Sequence, residues 1–519
     1  MHAVDLFDLG ARNFPGRVAF SGAGGDVTYA QAQAASNRIA RALLANGVGI
    51  GTRMAMLSPN NTTAMPALLG AMRAGCGWCN VNLRAGLDSN VDVLKRGRCE
   101  LLLIHSSVAE MAPAFEEAIP ELKLVLCNDS AGTPYPYILD WAADQPDGFL
   151  DHHVPTSSLG LQGSTGGTTG APKITQSSKD WIVMSLLAWQ ACGDFDEPPV
   201  NVAVAPITHA AGVVALAQFQ FGGTTIMMDV PDLDGLLELI ATRGVTTLFL
   251  PPTLIYLLLA HPKLAETETS SLRYLISAAA PIGPEKLVEG VHKLGPVMCH
   301  AYGQTEAGFP LTFISPYEIA RAASDGSKRR LLASCGRPTP ICSAFEAMGD
   351  DGAILPPGET GELVLRGPTM MDCYLDDPEA TAEVQKGGWH HTGDIGYRDA
   401  DGYVYITDRL RDMITSGGFN IFPFEIEQVL VAHPAVQDCA VIGVPDPKWG
   451  EAVKACVQLK AGATASEGEL IDACKSSLGS MKAPKSIDFI DDLPRSPVGK
   501  VLKRQLRAPY WAGRDRQVN

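Results

Sequence analysis

Short apolar runs alternate with helical stretches through the first two-thirds of this chain, and that alternation restricts the fold more than any other feature. Arg53-Met-Ala-Met-Leu57 leads into a helical pattern over 62–73. Leu101–Ile104 and 122–127 repeat the theme, followed by 202–205, 225–228, 246–250 and Tyr274–Ser277. Strands spaced by helices imply parallel sheets with covering helices. Thr28, ahead of Tyr-Ala-Gln-Ala, predicts a cap opening a helix that stops near Gly47. From about Gly336 the texture changes. Gly361-Glu-Leu-Val-Leu-Arg366 and Gly402-Tyr-Val-Tyr-Ile-Thr407 alternate with turn residues and predict a smaller, mainly β module over 336–408. After Asp408 a compact unit follows, with helix 423–433, strands 436–444 and 453–459, helix 467–478 and strand 486–490. The fold class is thus α/β, with an N-terminal domain over 1–408 and an α+β C-terminal domain over 409–519. A chain of 519 residues calls for more than one core in any case.

Composition narrows the function classes. With 46% apolar and 19% charged residues the chain is an ordinary globular one. The formal charge of −16 disfavours a nucleic-acid partner, so any anionic ligand must be captured by a local site. The longest apolar run, 248–260, is broken by Pro251-Pro252 and is shorter than the roughly 20 residues of a membrane span. Asp5 and Asp8, with no basic segment, do not read as a signal peptide, and a cytoplasmic location is expected. Cys76-Gly-Trp-Cys79 has the spacing of half a zinc or redox site, but no second pair completes it, and the cysteines read as buried small hydrophobes.

Residues 164–173, Ser-Thr-Gly-Gly-Thr-Thr-Gly-Ala-Pro-Lys, carry the strongest chemical signal. Glycines let backbone N–H groups turn toward an anion, and hydroxyls with a lysine complete a phosphate cradle. The bland alternative is a flexible linker, against which the rigid Ala171-Pro172-Lys173 argues. The run is not a Walker loop, because Lys173 is followed by Ile174, and its glycines do not give a dinucleotide fingerprint. Further polar islands interrupt the apolar scaffold. In Tyr302-Gly-Gln-Thr305-Glu306 a glutamate close to a polyphosphate makes sense with a divalent cation between them. Trp389-His-His-Thr-Gly-Asp394 places a carboxylate after a tight turn, suited to a ribose diol. Arg409-Leu-Arg411-Asp412 lies at the domain boundary, and Pro494-Arg-Ser-Pro-Val-Gly-Lys500 presents one lysine on a loop.

Taken together and in this order, these islands resemble the motifs of the adenylate-forming superfamily, which contains acyl-CoA synthetases, adenylation domains and beetle luciferases. The resemblance spans essentially the whole chain and implies ATP, Mg²⁺ and coenzyme A as cofactor and co-substrates. It implies that Thr165, Gly166, Gly167, Thr168, Thr169, Gly170 and Lys173 form a mobile phosphate loop. Tyr302 would stack on adenine against Ala278, Ala279 and Ala280, with Ala301 beside it. Thr305 would contact the α-phosphate and Glu306 the Mg²⁺, while Asp394 and Arg409 hold the ribose. Lys500 matches the lysine that bridges carboxylate and α-phosphate during adenylation, on a C-terminal domain that rotates between the two half-reactions about a hinge at Arg411. Ser416, Gly417 and Gly418 match the pantetheine path, and Trp449 and Lys485 are candidates for the CoA adenine and phosphates, a core tryptophan being the alternative. Ile174, Arg411 and Phe419 depart from the commoner residues at their positions, which touches rate and hinge energetics and leaves the reaction type intact.

The acyl pocket implied by the resemblance takes His209, Ala210, Ala278, Ala301 and Phe309, small or apolar residues with no acidic partner for an ammonium over 205–215. The expected substrate is therefore an apolar carboxylic acid, medium-chain fatty, aromatic or alicyclic, with His209 as a gate or a packed core histidine. The expected activity is an AMP-forming acyl-CoA synthetase. The alternative is a carboxylate-adenylating enzyme that loads a carrier-protein thiol. The partners are the small-molecule acid, ATP and CoA, with no nucleic acid, no integral membrane association, and a homodimer left open.

Overall fold

The strand–helix alternation resolves into two large sheets of predominantly parallel strands. The computed structural model describes every residue except Met1, Arg84, 166–172, Arg411, Gly417, Gly418, 496–500 and 512–519; of Thr165 and Asn420 only the backbone is described. The nine-stranded sheet runs, in spatial order, Arg337–Pro338, Gly308–Ile314, Met298–Gln304, Tyr274–Ser277, Thr247–Leu250, Val200–Ala203, Thr224–Met227, Val18–Ser21 and Val27–Thr28. Its strands from Met298–Gln304 to Val18–Ser21 are parallel. The seven-stranded sheet runs Cys373–Tyr374, Lys173–Ser178, Leu159–Thr165, Gly77–Cys79, Arg53–Leu57, Leu101–Ile104 and Leu124–Cys127. Its first pairings are antiparallel and the rest parallel. Strands buried on both faces need no polar alternation, which is why Leu101–Ile104 is apolar throughout.

The largest apolar cluster draws Met54, Trp78 and Leu161 from one sheet and Ala203, Phe249 and Ala301 from the other. Helices Tyr29–Ala45, Ala64–Ala74, Lys179–Cys192 and Ala210–Gln218 contribute to the same cluster. Ala64–Ala74 is buried at every position; its residues are apolar except Arg73, whose guanidinium pairs with Asp8 at 2.8 Å. The cap at Thr28 forms as expected: its hydroxyl accepts from the Gln31 N–H at 3.3 Å, and the Gln31 side chain accepts from the Thr28 N–H at 2.8 Å. Cys76 and Cys79 are buried, and burial pushes both thiols up to about 12. Among the described residues no group of three metal-binding side chains assembles, and no helix is long and apolar enough to cross a membrane.

The β module is less separate than its sequence suggests. Ala344–Met348, Gly361–Arg366, His390–Arg398 and Val404–Arg409 form an antiparallel four-stranded sheet. Yet Arg337–Pro338 pairs into the nine-stranded sheet and Cys373–Tyr374 into the seven-stranded one, so this segment stitches the two large sheets together.

The smaller C-terminal domain has its own sheet and core. Phe419–Ile421, Ile414–Ser416, Gly450–Leu459 and Val436–Asp446 are joined by Ser486–Phe489 on Gly450–Leu459. Ile426 and Leu430 from helix Pro423–Val431, and Leu470 from helix Glu467–Lys482, pack with Val441 and Val453. The two central strands are longer than expected because pairing continues to Asp446 and Gly450 at the turn.

Candidate active site

The site begins where the two large sheets touch. Leu159–Thr165 and Lys173–Ser178 form a hairpin in which Thr165 and Lys173 are paired, and the connection between them, 166–172, lies outside the described residues. Gly163 on this hairpin lies against Thr305, in the turn after the strand Met298–Gln304 of the other sheet. A Cβ on Gly163 would fall 2.0 Å from Thr305 Cγ2, so only a glycine admits this approach. Two of the motifs noted above are thereby brought side by side.

A polar corner forms next to them. Tyr302 lies within the strand Met298–Gln304, and the antiparallel Gly308–Ile314 holds it there. The Tyr302 hydroxyl donates to Asp394 Oδ2 at 2.5 Å, and Gln304 Nε2 donates to the same oxygen at 2.9 Å. Arg409 Nε lies 3.2 Å from Asp394 Oδ1. Asp394 sits within the strand His390–Arg398, not after a turn as expected, and is the register partner of Arg409. Gly393, at φ 68°, bends the strand in a conformation that L-residues rarely adopt, and this irregularity produced the turn-like sequence signal. Glu362 anchors the bend, accepting from the Gly393 N–H at 3.1 Å and lying 2.7 Å from His391 Nδ1. Burial, with the Asp394 carboxylate beside it, pushes the Tyr302 phenol well up, so it stays a neutral donor. Burial also lowers His390 to about 4; neutral at physiological pH, its Nε2 lies 3.2 Å from Gln304 Oε1.

Glu306 follows in the same turn. Its Oε1 accepts from the Tyr374 hydroxyl at 3.1 Å, and its carbonyl accepts from the Met371 N–H at 2.7 Å. Lys173, at the far end of the loop, lies over the Tyr374 ring at 5.0 Å from its centroid and 3.8 Å from Asp377 Oδ2. Gln304 and Tyr374 were not singled out by sequence. Gln304 sits inside a motif already quoted, whereas Tyr374 in Cys-Tyr-Leu-Asp-Asp-Pro has no pattern of its own.

The residues assigned to the acyl pocket belong to one apolar neighbourhood. Ala278, Ala301 and Phe309 are buried in the large cluster, with Ala210 packed against it. Phe309 stacks on Trp189 at 6.2 Å and meets Phe249 edge-on at 6.1 Å. His209 stands just before helix Ala210–Gln218, its Nδ1 3.0 Å from Thr208 Oγ1, and burial lowers its pKa, keeping the ring neutral. Ala279, next to the buried Ala278, holds φ 70°, a strained value for a residue with a Cβ. It lies just past the carboxyl end of the strand Tyr274–Ser277, where ligands bind in open α/β sheets. Ala280 follows it in the same loop.

In the C-terminal domain, Ser416 pairs with Gly450, which places it beside Trp449. Trp449 is 44% exposed, which excludes the core alternative, and Lys448 lies 4.5 Å from its ring centroid. Lys485 donates from Nζ to the Ser480 carbonyl at 2.8 Å. Gly166, Gly167, Thr168, Thr169 and Gly170, together with Arg411, Gly417, Gly418 and Lys500, lie outside the described residues, as does the side chain of Thr165.

Comparison with known proteins gives this geometry a family. Residues 7–375 match the family described as AMP-binding enzyme, and residues 425–500 match the AMP-binding enzyme C-terminal domain. A feruloyl-CoA synthase from an Amycolatopsis species is 34% identical over 96% of this chain and 97% of its own length. A medium/long-chain-fatty-acid–CoA ligase from Mycobacterium tuberculosis is 32% identical over 92% of this chain and 85% of its own. Among solved structures, an amide bond synthetase from Marinactinospora thermotolerans superposes with a TM-score of 0.87 at 30% identity, covering 98% of this chain and all of the other. The order of motifs, the meeting of the two sheets at Thr305 and the match along the whole length agree: this chain belongs to the AMP-binding, adenylate-forming enzymes, in the acyl-CoA ligase branch of AMP-forming acid–thiol ligases.

Proposed function

We propose that this enzyme adenylates an apolar carboxylic acid, aromatic, alicyclic or medium-chain fatty, and transfers the acyl group to free CoA. One observation carries the reading. The strand that presents Tyr302, and leads into the turn carrying Thr305 and Glu306, also buries Ala301 in the apolar cluster with Phe309, Phe249 and Trp189. Nucleotide and acyl sites then share one strand, and the acyl side offers aromatic and small apolar surface and a neutral histidine.

In the first half-reaction a carboxylate oxygen of the acid attacks the α-phosphorus of ATP, an O–P bond forms, and pyrophosphate leaves with the electrons of the broken P–O bond. Both reactants are anionic, so catalysis consists mainly of alignment and charge neutralisation. Asp394 accepts from the ribose hydroxyls, with Arg409 beside it. Tyr302, fixed through its phenol, offers a ring face for the adenine. Thr305 and the 165–173 loop donate to the phosphates, and Lys500 supplies positive charge between carboxylate and α-phosphate. Mg²⁺ suits the donor set at Glu306, since that ion is commonly held by one or two carboxylates with phosphate oxygens and water; it would neutralise phosphate charge there. In the second half-reaction the CoA thiolate attacks the acyl carbonyl and AMP departs. Exposed Trp449 beside Ser416, with Lys448 over its ring, supports free CoA as the acceptor.

Pyrophosphate exchange over a panel of cinnamic, indolic, alicyclic, C6–C12 and α-amino acids tests the reading, with thioester formation followed with CoA and with a phosphopantetheinyl carrier protein. Exchange with apolar acids and thioester on CoA is the expected result. Exchange confined to amino acids, or thioester formed only on the carrier, would overturn it.

A further inference from the structure

The network around Glu306 extends to a residue that has no role in the reading above. Tyr374 lies on the two-residue strand Cys373–Tyr374, which pairs with Lys173–Ser178 through Tyr374 and Thr175. It is 8% exposed, and its two faces of chemistry are both engaged. Its hydroxyl donates to Glu306 Oε1 at 3.1 Å, and its ring carries the Lys173 ammonium at 5.0 Å from the centroid. Glu306 is therefore tied to the exit of the phosphate loop through one side chain.

The surrounding backbone holds this arrangement from both sides. The Met371 N–H donates to the Glu306 carbonyl at 2.7 Å, and the Leu375 N–H donates to the Ile174 carbonyl at 2.8 Å. Thr369 Oγ1 donates to the Ala307 carbonyl at 2.5 Å, and Gln385 Nε2 to the Met371 carbonyl at 2.7 Å. The segment 369–375 thus bridges the turn at Glu306 and the strand that begins at Lys173. Of the two Glu306 oxygens, Oε1 is occupied by the phenol, while Oε2 accepts no hydrogen bond among the described residues. A carboxylate fixed through one oxygen presents the other in a set orientation, which is how outer partners orient metal ligands.

We infer that Tyr374 is a positioning residue: its hydroxyl sets Glu306 for Mg²⁺ of the bound nucleotide, and its ring holds Lys173, so that the metal ligand and the loop exit are placed as one unit. This rests on the proposed roles of Glu306 and Lys173. The two halves of the side chain separate cleanly, because Tyr374→Phe removes the hydroxyl and keeps the ring, whereas Tyr374→Leu removes both.

Calorimetric titration of ATP into the full chain at stepped Mg²⁺ concentrations provides a readout independent of turnover. Tyr374→Phe is expected to raise the Mg²⁺ needed for half-maximal enhancement of ATP affinity by about tenfold, the lower end of what outer partners of metal ligands contribute. Metal-free ATP affinity and the KM for the acid are expected to stay unchanged. Tyr374→Leu is expected to weaken metal-free ATP binding as well. Introduced into Glu306→Gln, Tyr374→Phe is expected to have no further effect on the Mg²⁺ dependence. A Mg²⁺ dependence of Tyr374→Phe that matches the parent protein overturns the inference. So does an equal loss with and without Mg²⁺, which is what loosened packing would produce. If Tyr374→Leu does not fold, the phenylalanine variant and the double variant still decide. Failure of the function reading is seen separately, as absence of pyrophosphate exchange in the parent protein while its Mg²⁺-dependent ATP binding persists.

Discussion

At the scale of single residues, the carboxylate of Asp394 concentrates the most chemistry. It is 2% exposed and takes hydrogen bonds from Tyr302 and Gln304 while facing Arg409. Asp394→Asn keeps the shape, removes the charge opposite Arg409 and turns one acceptor into a donor toward the phenol or the amide. Truncating one partner of a buried, hydrogen-bonded charge pair costs about 2–5 kcal/mol. Arg409 is about half exposed, so the lower end applies, and a rise in the KM for ATP of roughly 30-fold is expected, with the KM for CoA unchanged. Equal losses for ATP and CoA in steady-state kinetics would remove Asp394 from the nucleotide site. The identities of Tyr302, Asp394 and Arg409 were legible in the sequence because each lies in a motif with a fixed neighbour order. Their joining through one carboxylate was not, since 92 residues separate Tyr302 from Asp394 and no local spacing encodes that contact. Tyr374 was invisible for the same reason.

At the scale of elements, continuous apolar runs announced the parallel strands because burial on both faces removes the need for polar alternation. Elements without such a run escaped notice. Ile414–Ser416 and Phe419–Ile421 are three-residue strands, too short for any period to show. The helix Lys503–Trp511 is basic at its start and contains Pro509, so its sequence reads as a helix breaker. The meeting of elements at Gly163 is the contact most open to test. Gly163→Ala places a methyl group 2.0 Å from Thr305 Cγ2, which forces the turn and the hairpin apart. Acyl-AMP formation is expected to fall by at least about tenfold, as misplacement of reacting groups by an ångström costs up to about 10²-fold. Thr305→Ser deletes the clashing methyl and keeps the hydroxyl. The pair Gly163→Ala with Thr305→Ser is therefore expected to recover most of the lost rate in a pyrophosphate-exchange assay. A double variant no faster than Gly163→Ala alone would mean that the clash is not the cause.

At the scale of the whole molecule, the question is how the C-terminal domain is held and what it carries. Asp408, on the last strand of the four-stranded sheet, accepts from the Phe424 N–H at 3.0 Å and so caps the first turn of the C-terminal helix Pro423–Val431. The ion pair of Lys503 and Glu427 at 2.7 Å lies beside it. Burial raises the Asp408 carboxyl to about 6 despite the Lys503 charge. An aspartate in the unfolded chain titrates near 3.9, so between about pH 4 and 6 the folded chain keeps a proton that the unfolded chain has released. Stability contributed by this group is thus present below about pH 4 and lost as pH rises through about 6. Asp408→Asn is expected to erase that slope, a relative change of roughly 3 kcal/mol across the window in denaturant titrations at stepped pH. Parallel pH curves for the two proteins would rule it out. The role proposed for Lys500 is tested through the same domain. Its flanks, Arg495 and Val501, pair antiparallel, Arg495 meets Asp438 at 2.5 Å, and Val501 packs with Ala440, Ile442 and Leu493 of the C-terminal domain. Under the proposed role, rotation of that domain about Arg411 would take the lysine out of the site and make its contribution specific to one half-reaction. Lys500→Ala is expected to slow acyl-AMP formation by roughly 10²–10³-fold, the scale of one lost electrostatic contact in a transition state. Thioester formation from supplied acyl-AMP and CoA is expected to keep its rate. Rapid-quench measurement of each half-reaction separates the two, and an equal fall in both would mean that Lys500 stays in place throughout and the domain does not exchange it.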